Sequence, residues 1–259
     1  MAYIQYDDGS TYSGDVNYDG NPDGYGTMRW ADGSSYTGYF RDGEVHGSGT
    51  MYYDDGSKFV GEFDHGHFYK GTYTFADNSG SFSGTFDSNG NYYDGVLTYS
   101  DGATYKGSYT NDQPNGYGVY RYPDGTVYEG YFSYGSFSGQ GKLRYTNGTV
   151  IEGRFYNDCA SGHCKMTFID GGYIEGYFEN DQPNGSCVQY WDDDDFHYEG
   201  QFVNGNKEGR GLLKNDKNGD YFYAEYEDDE LVDPQDIKYY CSNGDVIRFR
   251  YQNGEYTRI

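Results

Sequence analysis

A large hydrophobic residue, one intervening position and a glycine recur along this chain at a nearly constant step. The triplets are Tyr12-Ser13-Gly14, Tyr36-Thr37-Gly38, Phe59-Val60-Gly61, Phe82-Ser83-Gly84, Tyr105-Lys106-Gly107, Tyr128-Glu129-Gly130, Ile151-Glu152-Gly153, Ile174-Glu175-Gly176 and Tyr198-Glu199-Gly200, spaced by 23 or 24 residues. Phe222-Tyr223-Ala224 and Ile247-Arg248-Phe249 are degenerate copies. Within one period the alternation has period two. Tyr36, Gly38 and Phe40 fall on one face, with Thr37 and Tyr39 on the other. After a turn at Asp42-Gly43, Gly47, Gly49, Met51 and Tyr53 alternate with Ser48, Thr50 and Tyr52. Period two predicts strands, and Asp-Gly between two such runs predicts a hairpin. A step of this length sustained end to end predicts units that lean on their neighbours. The expected fold is all-β: an elongated single-layer antiparallel sheet of about eleven consecutive hairpins, a twisted rod or half-pipe. Residues 1–220 form the array, and the degenerate units of 221–259 form a C-terminal cap, with the break in the repeat at 229–237.

The pattern also predicts the faces. The inner column two residues after the glycine is Val16, Phe40, Phe63, Phe86, Tyr109, Phe132, Phe155, Phe178 and Phe202. A second inner column is Trp30, Tyr53, Phe75, Tyr99, Tyr122, Tyr145, Phe168 and Trp191. Both read as a packed spine, since every unit supplies one member. Pairing across Asp55-Gly56 is expected to set Tyr53 opposite Phe59, Met51 opposite Gly61 and Gly49 opposite Phe63, so that large faces small. The same register sets Arg121 opposite Glu129, Arg144 opposite Glu152 and Glu175 opposite Thr167 on the outer face. The first two glutamates then read as members of exposed ion pairs, each contributing about 0.2–1 kcal/mol.

Composition narrows the picture. Only 35% of residues are hydrophobic, against 20% aromatic and 41 glycines, which suits a thin sheet rather than a thick aliphatic core. Periodic aromatics on this scale argue against disorder. The net charge of −24 repels nucleic acid and anionic lipid. Much of the acid sits at turns, where Asp hydrogen-bonds the backbone. The start Met1-Ala2-Tyr3-Ile4 has neither a basic nor an apolar leader region, no apolar run is long enough to span a membrane, and four cysteines do not make a disulfide framework. A cytoplasmic protein is the expectation. The sequons at Asn147 and Asn184 read as repeat-derived turns.

Tyr36-Thr37-Gly38-Tyr39-Phe40-Arg41-Asp42-Gly43, with Gly47-Ser48-Gly49 and Asp55-Gly56, resembles the MORN (membrane occupation and recognition nexus) repeat. So does Tyr128-Glu129-Gly130-Tyr131-Phe132 with Gly139-Gln140-Gly141. Nine units over about 6–220 carry the resemblance. It implies a twisted sheet curling into a groove. It also implies a role as a cytoskeletal, ciliary or junctional scaffold, a dimerising rod, or an accessory module on an enzyme. The unit at 67–80 departs from the pattern, with a shifted glycine motif and an Asn78-Ser79-Gly80 turn. Cys164 and Cys187 replace the second glycine in two units. Asn111-Asp112-Gln113-Pro114-Asn115-Gly116 recurs at Asn180 to Gly185, an apparent duplication of three units whose motif reads as a well-formed turn.

No catalytic, cofactor or metal site is expected. The glycines alternate along strands and build no phosphate cradle. Cys159, His163 and Cys164 are close in sequence, but alternation sends the last two to opposite faces. Cys164 and Cys187 sit too far apart for a disulfide. The run Asp192-Asp193-Asp194-Asp195 and the run Glu227-Asp228-Asp229-Glu230 read as solvated charge rather than calcium ligands. His46, His65, His67, His163 and His197 share no column, and no nucleophile–base pair is apparent. The expected role is a non-catalytic scaffold presenting an acidic, tyrosine-rich face to protein partners, basic ones included. Tyr39, Tyr131 and Tyr177 in one outer column, and Tyr25 and Tyr117 in another, are the candidate contacts. Unpaired terminal strands allow homodimerisation. The alternatives are peripheral lipid binding, which the charge disfavours, and glycan binding.

Overall fold

In a computed structural model, residues 1–259 are described except Asn78, Asp193 and Asp194. The expected Asn78-Ser79-Gly80 turn and the run from Asp192 to Asp195 therefore lie partly outside the described residues. Those residues form 24 strands and no helix, and sequential strands pair antiparallel as successive hairpins. Two compact units result. One comprises 1–124 with 132–135, the other 125–131 with 136–259.

Strand Ser35–Arg41 illustrates the alternation, with Tyr36, Gly38 and Phe40 buried while Tyr39 and Arg41 are exposed. Asp42 and Gly43 both have positive φ (47° and 93°), the geometry of a tight type I′ tip. The opposite end of each hairpin is a wider loop. Tyr53 N–H donates to Ser57 O at 3.0 Å and Gly56 N–H to Tyr53 O at 3.1 Å. Tyr53 and Ser57 thus close the loop, and its centre is Asp55 rather than the Asp-Gly peptide.

That closure overturns the expected register. Met51 faces Phe59, Gly49 faces Gly61 and Gly47 faces Phe63. Glycine faces glycine, and the aromatic ring lies diagonally over the pair. On the outer face Lys142, not Arg144, opposes Glu152, and Lys165, not Thr167, opposes Glu175. Ion pairs on this face include Lys142–Glu152 at 2.8 Å, Lys165–Glu175 at 3.8 Å and Arg144–Glu129 at 3.5 Å.

The first inner column is buried from Phe40 to Phe202, but Val16 is exposed. Each signature ring meets the column residue of the following hairpin edge to face: Tyr12–Phe40 at 5.1 Å, Tyr36–Phe63 at 5.1 Å and Tyr128–Phe155 at 5.1 Å. Such pairs are worth about 0.5–1.5 kcal/mol beyond burial. The second column is half-buried throughout and at Tyr122 exposed, because its residues open the wide loops instead of lying mid-strand.

The two glycines of each Gly-x-Gly answer different demands. Gly47 has φ +66° where the second strand bulges between Gly38 and Phe40, a conformation L side chains rarely adopt. Gly49 is extended but lies under the Tyr36 ring, where a Cβ would overlap the phenol. The buried hydroxyl donates to Tyr39 O at 3.0 Å, three residues on, and burial pushes the Tyr36 pKa up to about 12. Tyr12, Tyr105, Tyr128 and Tyr198 make the same bond to Asp15, Ser108, Tyr131 and Gln201 at 2.6–3.3 Å. Ile151 and Ile174 have no hydroxyl and leave the glycine position uncovered. There Cys164 and Cys187 replace the second glycine, and their thiols reach the equivalent carbonyls, Arg154 O and Tyr177 O, each at 3.3 Å. A smaller ring substitute and a larger glycine substitute thus conserve both volume and donor.

A ladder of tips ties successive hairpins together. Gly43 N–H donates to Pro22 O at 2.8 Å, Gly135 to Pro114 O at 2.9 Å and Gly205 to Pro183 O at 2.9 Å. In other tips Asp replaces that Gly, and its carboxylate also accepts the N–H one hairpin back: Phe137 to Asp158 at 2.7 Å, Ala160 to Asp181 at 2.6 Å and Lys207 to Asp229 at 2.9 Å. Proline has no N–H to offer, and it is followed one hairpin later by a glycine tip. The repeated Asn-Asp-Gln-Pro-Asn-Gly segment performs both tasks, Asp112 taking Tyr92 N–H at 2.7 Å and Pro114 supplying its carbonyl.

Aspartates sit inside the wide loops, as anticipated for turns. Asp32, Asp55 and Asp77 accept the N–H two residues on at 2.7–2.9 Å. The Ser34, Ser57 and Ser79 side chains, then their backbone N–H groups, hold these carboxyls below the usual range. A depressed carboxyl contributes stability that is present above the unfolded value of about 3.9 and is lost as pH falls through the folded value. Asn keeps the acceptor without titrating, as Asn147 does toward Thr149 N–H at 2.9 Å. The Asp32→Asn/Asp55→Asn variant is therefore expected to lose urea resistance less steeply than wild type below about pH 4. Parallel pH profiles would refute the linkage.

Candidate interaction face

On the outer face the cross-strand pairing sets Tyr25 directly opposite Tyr39. Their rings meet edge to face at 5.4 Å, with 53% and 52% of each residue exposed. The two outer columns expected from sequence are thus neighbours. In the second unit Tyr177, 59% exposed, opposes His163 with ring centroids 6.3 Å apart. Tyr117 and Tyr131 are also exposed, one in each unit.

Beside Tyr177 the outer face of the second unit dips into two adjoining shallow depressions. One, of about 600 Å³, has Lys142, Glu152, His163, Lys165 and Glu175 at its margin, and the next, of about 440 Å³, runs past Tyr177, Ser186, Glu199 and Gln201. Gly153 and Gly176 contribute to the two floors, so the backbone is approachable where other positions carry side chains. The charges alternate in sign, and Lys165 Nζ also lies 3.5 Å from the Tyr173 ring centroid. Such a floor can read a flat polar surface through paired charges and one exposed ring; half-exposed Tyr carries large contact area at low entropy cost.

The sequence model of the MORN repeat matches residues 12–35, 36–58, 105–127, 128–150, 152–173, 175–196 and 198–217, more than half of the chain. The chain belongs to the MORN repeat family. The two hairpins at Phe59 and Phe82, outside those matches, carry Phe in place of the signature residue. They still bury that ring, stacking it on Phe68 at 4.3 Å and on Tyr92 at 3.9 Å. No curated protein sequence matches this chain. Solved structures that match include the SAS-4 (dCPAP) TCP domain in complex with a proline-rich motif of Ana2 (dSTIL) of Drosophila melanogaster, at 13% identity, 66% of this chain, 86% of that chain and a TM-score of 0.39. The microcephaly protein CPAP G-box domain matches at 13% identity, 95% of this chain, 96% of that chain and a TM-score of 0.32.

The remaining chemistry-bearing residues fall at several separate places along the array. Within the MORN units the Cys164 and Cys187 thiols are buried and hydrogen-bonded, and burial pushes both pKa values up, which disfavours the reactive thiolate. His197 is 4% exposed, held between Glu199 and Asp216 at 2.8 Å each. Sequence alternation treated His46 and His65 as unrelated because they belong to different MORN units. The tip ladder brings their rings to 5.5 Å, with Asp64 between them. A signal was available, since His65 lies in a tip turn, His46 follows the preceding one, and tips of consecutive hairpins stack.

Proposed function

We propose that this MORN protein is a non-catalytic scaffold that captures a protein partner on its outer face, within a cytoplasmic, cytoskeletal or ciliary assembly. The observation that carries the reading is the set of half-exposed outer-face tyrosines, Tyr25 against Tyr39 and Tyr177 against His163, set among alternating charges. Removing such rings costs little stability, because they rest on the solvent side of the sheet, while the structural rings occupy the inner face. A basic partner is favoured by the net charge of −24, which accelerates encounter at low salt. The same charge opposes anionic membranes, since lipid headgroup recognition wants clustered Lys and Arg.

Affinity capture with the full chain and mass spectrometry tests this. A partner retained by wild type is expected to bind Tyr131→Ala/Tyr177→Ala at least about tenfold more weakly, the loss of one good interface anchor. Melting temperature should hold. Flotation with phosphatidylserine liposomes should recover neither form. Equal capture by both proteins overturns the surface assignment, and flotation of purified wild type favours a lipid-binding role instead.

A further inference from the structure

The tip ladder assembles one cluster that the repeat does not need. Gly66 N–H donates to Val45 O at 3.0 Å, docking the tip of one hairpin on the one before. This sets His65 beside His46. Asp64 Oδ1 lies 2.8 Å from His65 Nδ1 and 3.5 Å from His46 Nδ1. All three ligand atoms fall within 4.8 Å of one another. His46 Nδ1 is buried and has no hydrogen-bond partner, although the side chain as a whole is 21% exposed. Asp64 and His65 are exposed, leaving the cluster open to solvent on one side.

The tip geometry does not account for His65. Its φ of +46° belongs to the left-handed position that Asp42, Asn111, Asn157 and Asn180 occupy in other tips. Asn and Asp suit that conformation best, and His also tolerates it. Among the described residues no other tip brings three such ligand atoms together. One carboxylate oxygen faces two imidazoles here, and it satisfies only one of them.

We propose that His46 Nδ1, Asp64 Oδ1 and His65 Nδ1 bind a first-row divalent transition metal ion of the Zn²⁺ type. Imidazole nitrogen and carboxylate oxygen bond Zn²⁺ at about 2.0–2.2 Å, so the ligand atoms of a tetrahedral site stand roughly 3.3–3.5 Å apart. The separations of 2.8 and 3.5 Å bracket that edge, and a small rotamer adjustment completes it. Two imidazoles disfavour Ca²⁺ and Mg²⁺, which take oxygen ligands. Three protein ligands leave one position for water or a donor from a bound partner. A metal here would bridge two consecutive hairpins through their tips and give the buried His46 nitrogen its missing partner.

Zn²⁺ titrated into the full chain against a chromophoric chelator is expected to reveal one site. His65→Asn, which retains a residue this tip position accepts, should weaken it at least about tenfold, and His46→Gln should do the same. Co²⁺ added to wild type should develop the intense visible absorption of a four-coordinate site, absent in His65→Asn. Equal Zn²⁺ affinity in wild type and His65→Asn overturns the proposal. So does a wild-type Co²⁺ spectrum indistinguishable from the hydrated ion, a result that requires no variant to fold.

Discussion

Gly49→Cys alone is expected to cost about 3 kcal/mol, and adding Tyr36→Ile to it should cost only about 0–2 kcal/mol more, less than the same change costs in wild type. The single substitution drives a side chain into the Tyr36 phenol and the paired backbone, and overpacking a rigid site costs roughly 1–3 kcal/mol and sometimes more. Tyr36→Ile alone opens a cavity and strips the Tyr39 carbonyl of its donor, a loss of about 3 kcal/mol by analogy with large-to-small core substitutions. Together the two changes reproduce the Ile151/Cys164 solution, in which the thiol donates to Arg154 O. A double-mutant cycle in urea should give a favourable coupling of about 1–3 kcal/mol, as for residues in direct contact. Simple additivity of the two losses would mean that the Ile–Cys hairpins are not a substitute packing for the Tyr–Gly ones.

Phe63→Ala should lower stability by about 3–5 kcal/mol, the range for deleting a buried ring. Phe63 is 3% exposed and meets Tyr36 of the preceding hairpin at 5.1 Å and Phe59 of its own at 5.0 Å. Its loss therefore weakens an interface between repeats as well as one repeat. In a structure whose units lean only on neighbours, that interface is where cooperativity is transmitted. A domain has only about 5–15 kcal/mol in hand, so the denaturation curve should shift strongly or split in two. Tyr39→Ala, on the outer face of the preceding hairpin and half-exposed, serves as the contrast and should cost about 1 kcal/mol or less, the worth of its edge-to-face contact with Tyr25. Equal losses at Phe63 and Tyr39 would reverse the assignment of inner and outer faces.

Both predictions depend on information of different origin. The hairpin step, the antiparallel pairing and the inner or outer placement of Tyr36, Tyr39 and Phe40 were legible from period two and the glycine spacing, because alternation along a strand is a local property. The outer-face tyrosines were legible for the same reason, and so was the turn role of Asp. The register was not. The Asp-Gly dipeptide marks a loop but leaves open which residues close it, and a centre at Asp55 moves every partner by two positions. That shift preserves the faces and changes the pairs, which is why Lys142 rather than Arg144 meets Glu152.

The sequence by itself determined a MORN array of hairpins with aromatic rings on one side and tyrosine and charge on the other. Tertiary structure decided three things that alternation cannot encode: glycine facing glycine beneath each ring, the exchange of a phenol for a thiol over the same carbonyl, and the meeting of His46, Asp64 and His65. Each depends on distances between residues of different strands or different hairpins. Those distances are set by how loops close and how tips stack, which the alternation of side chains within a strand does not record.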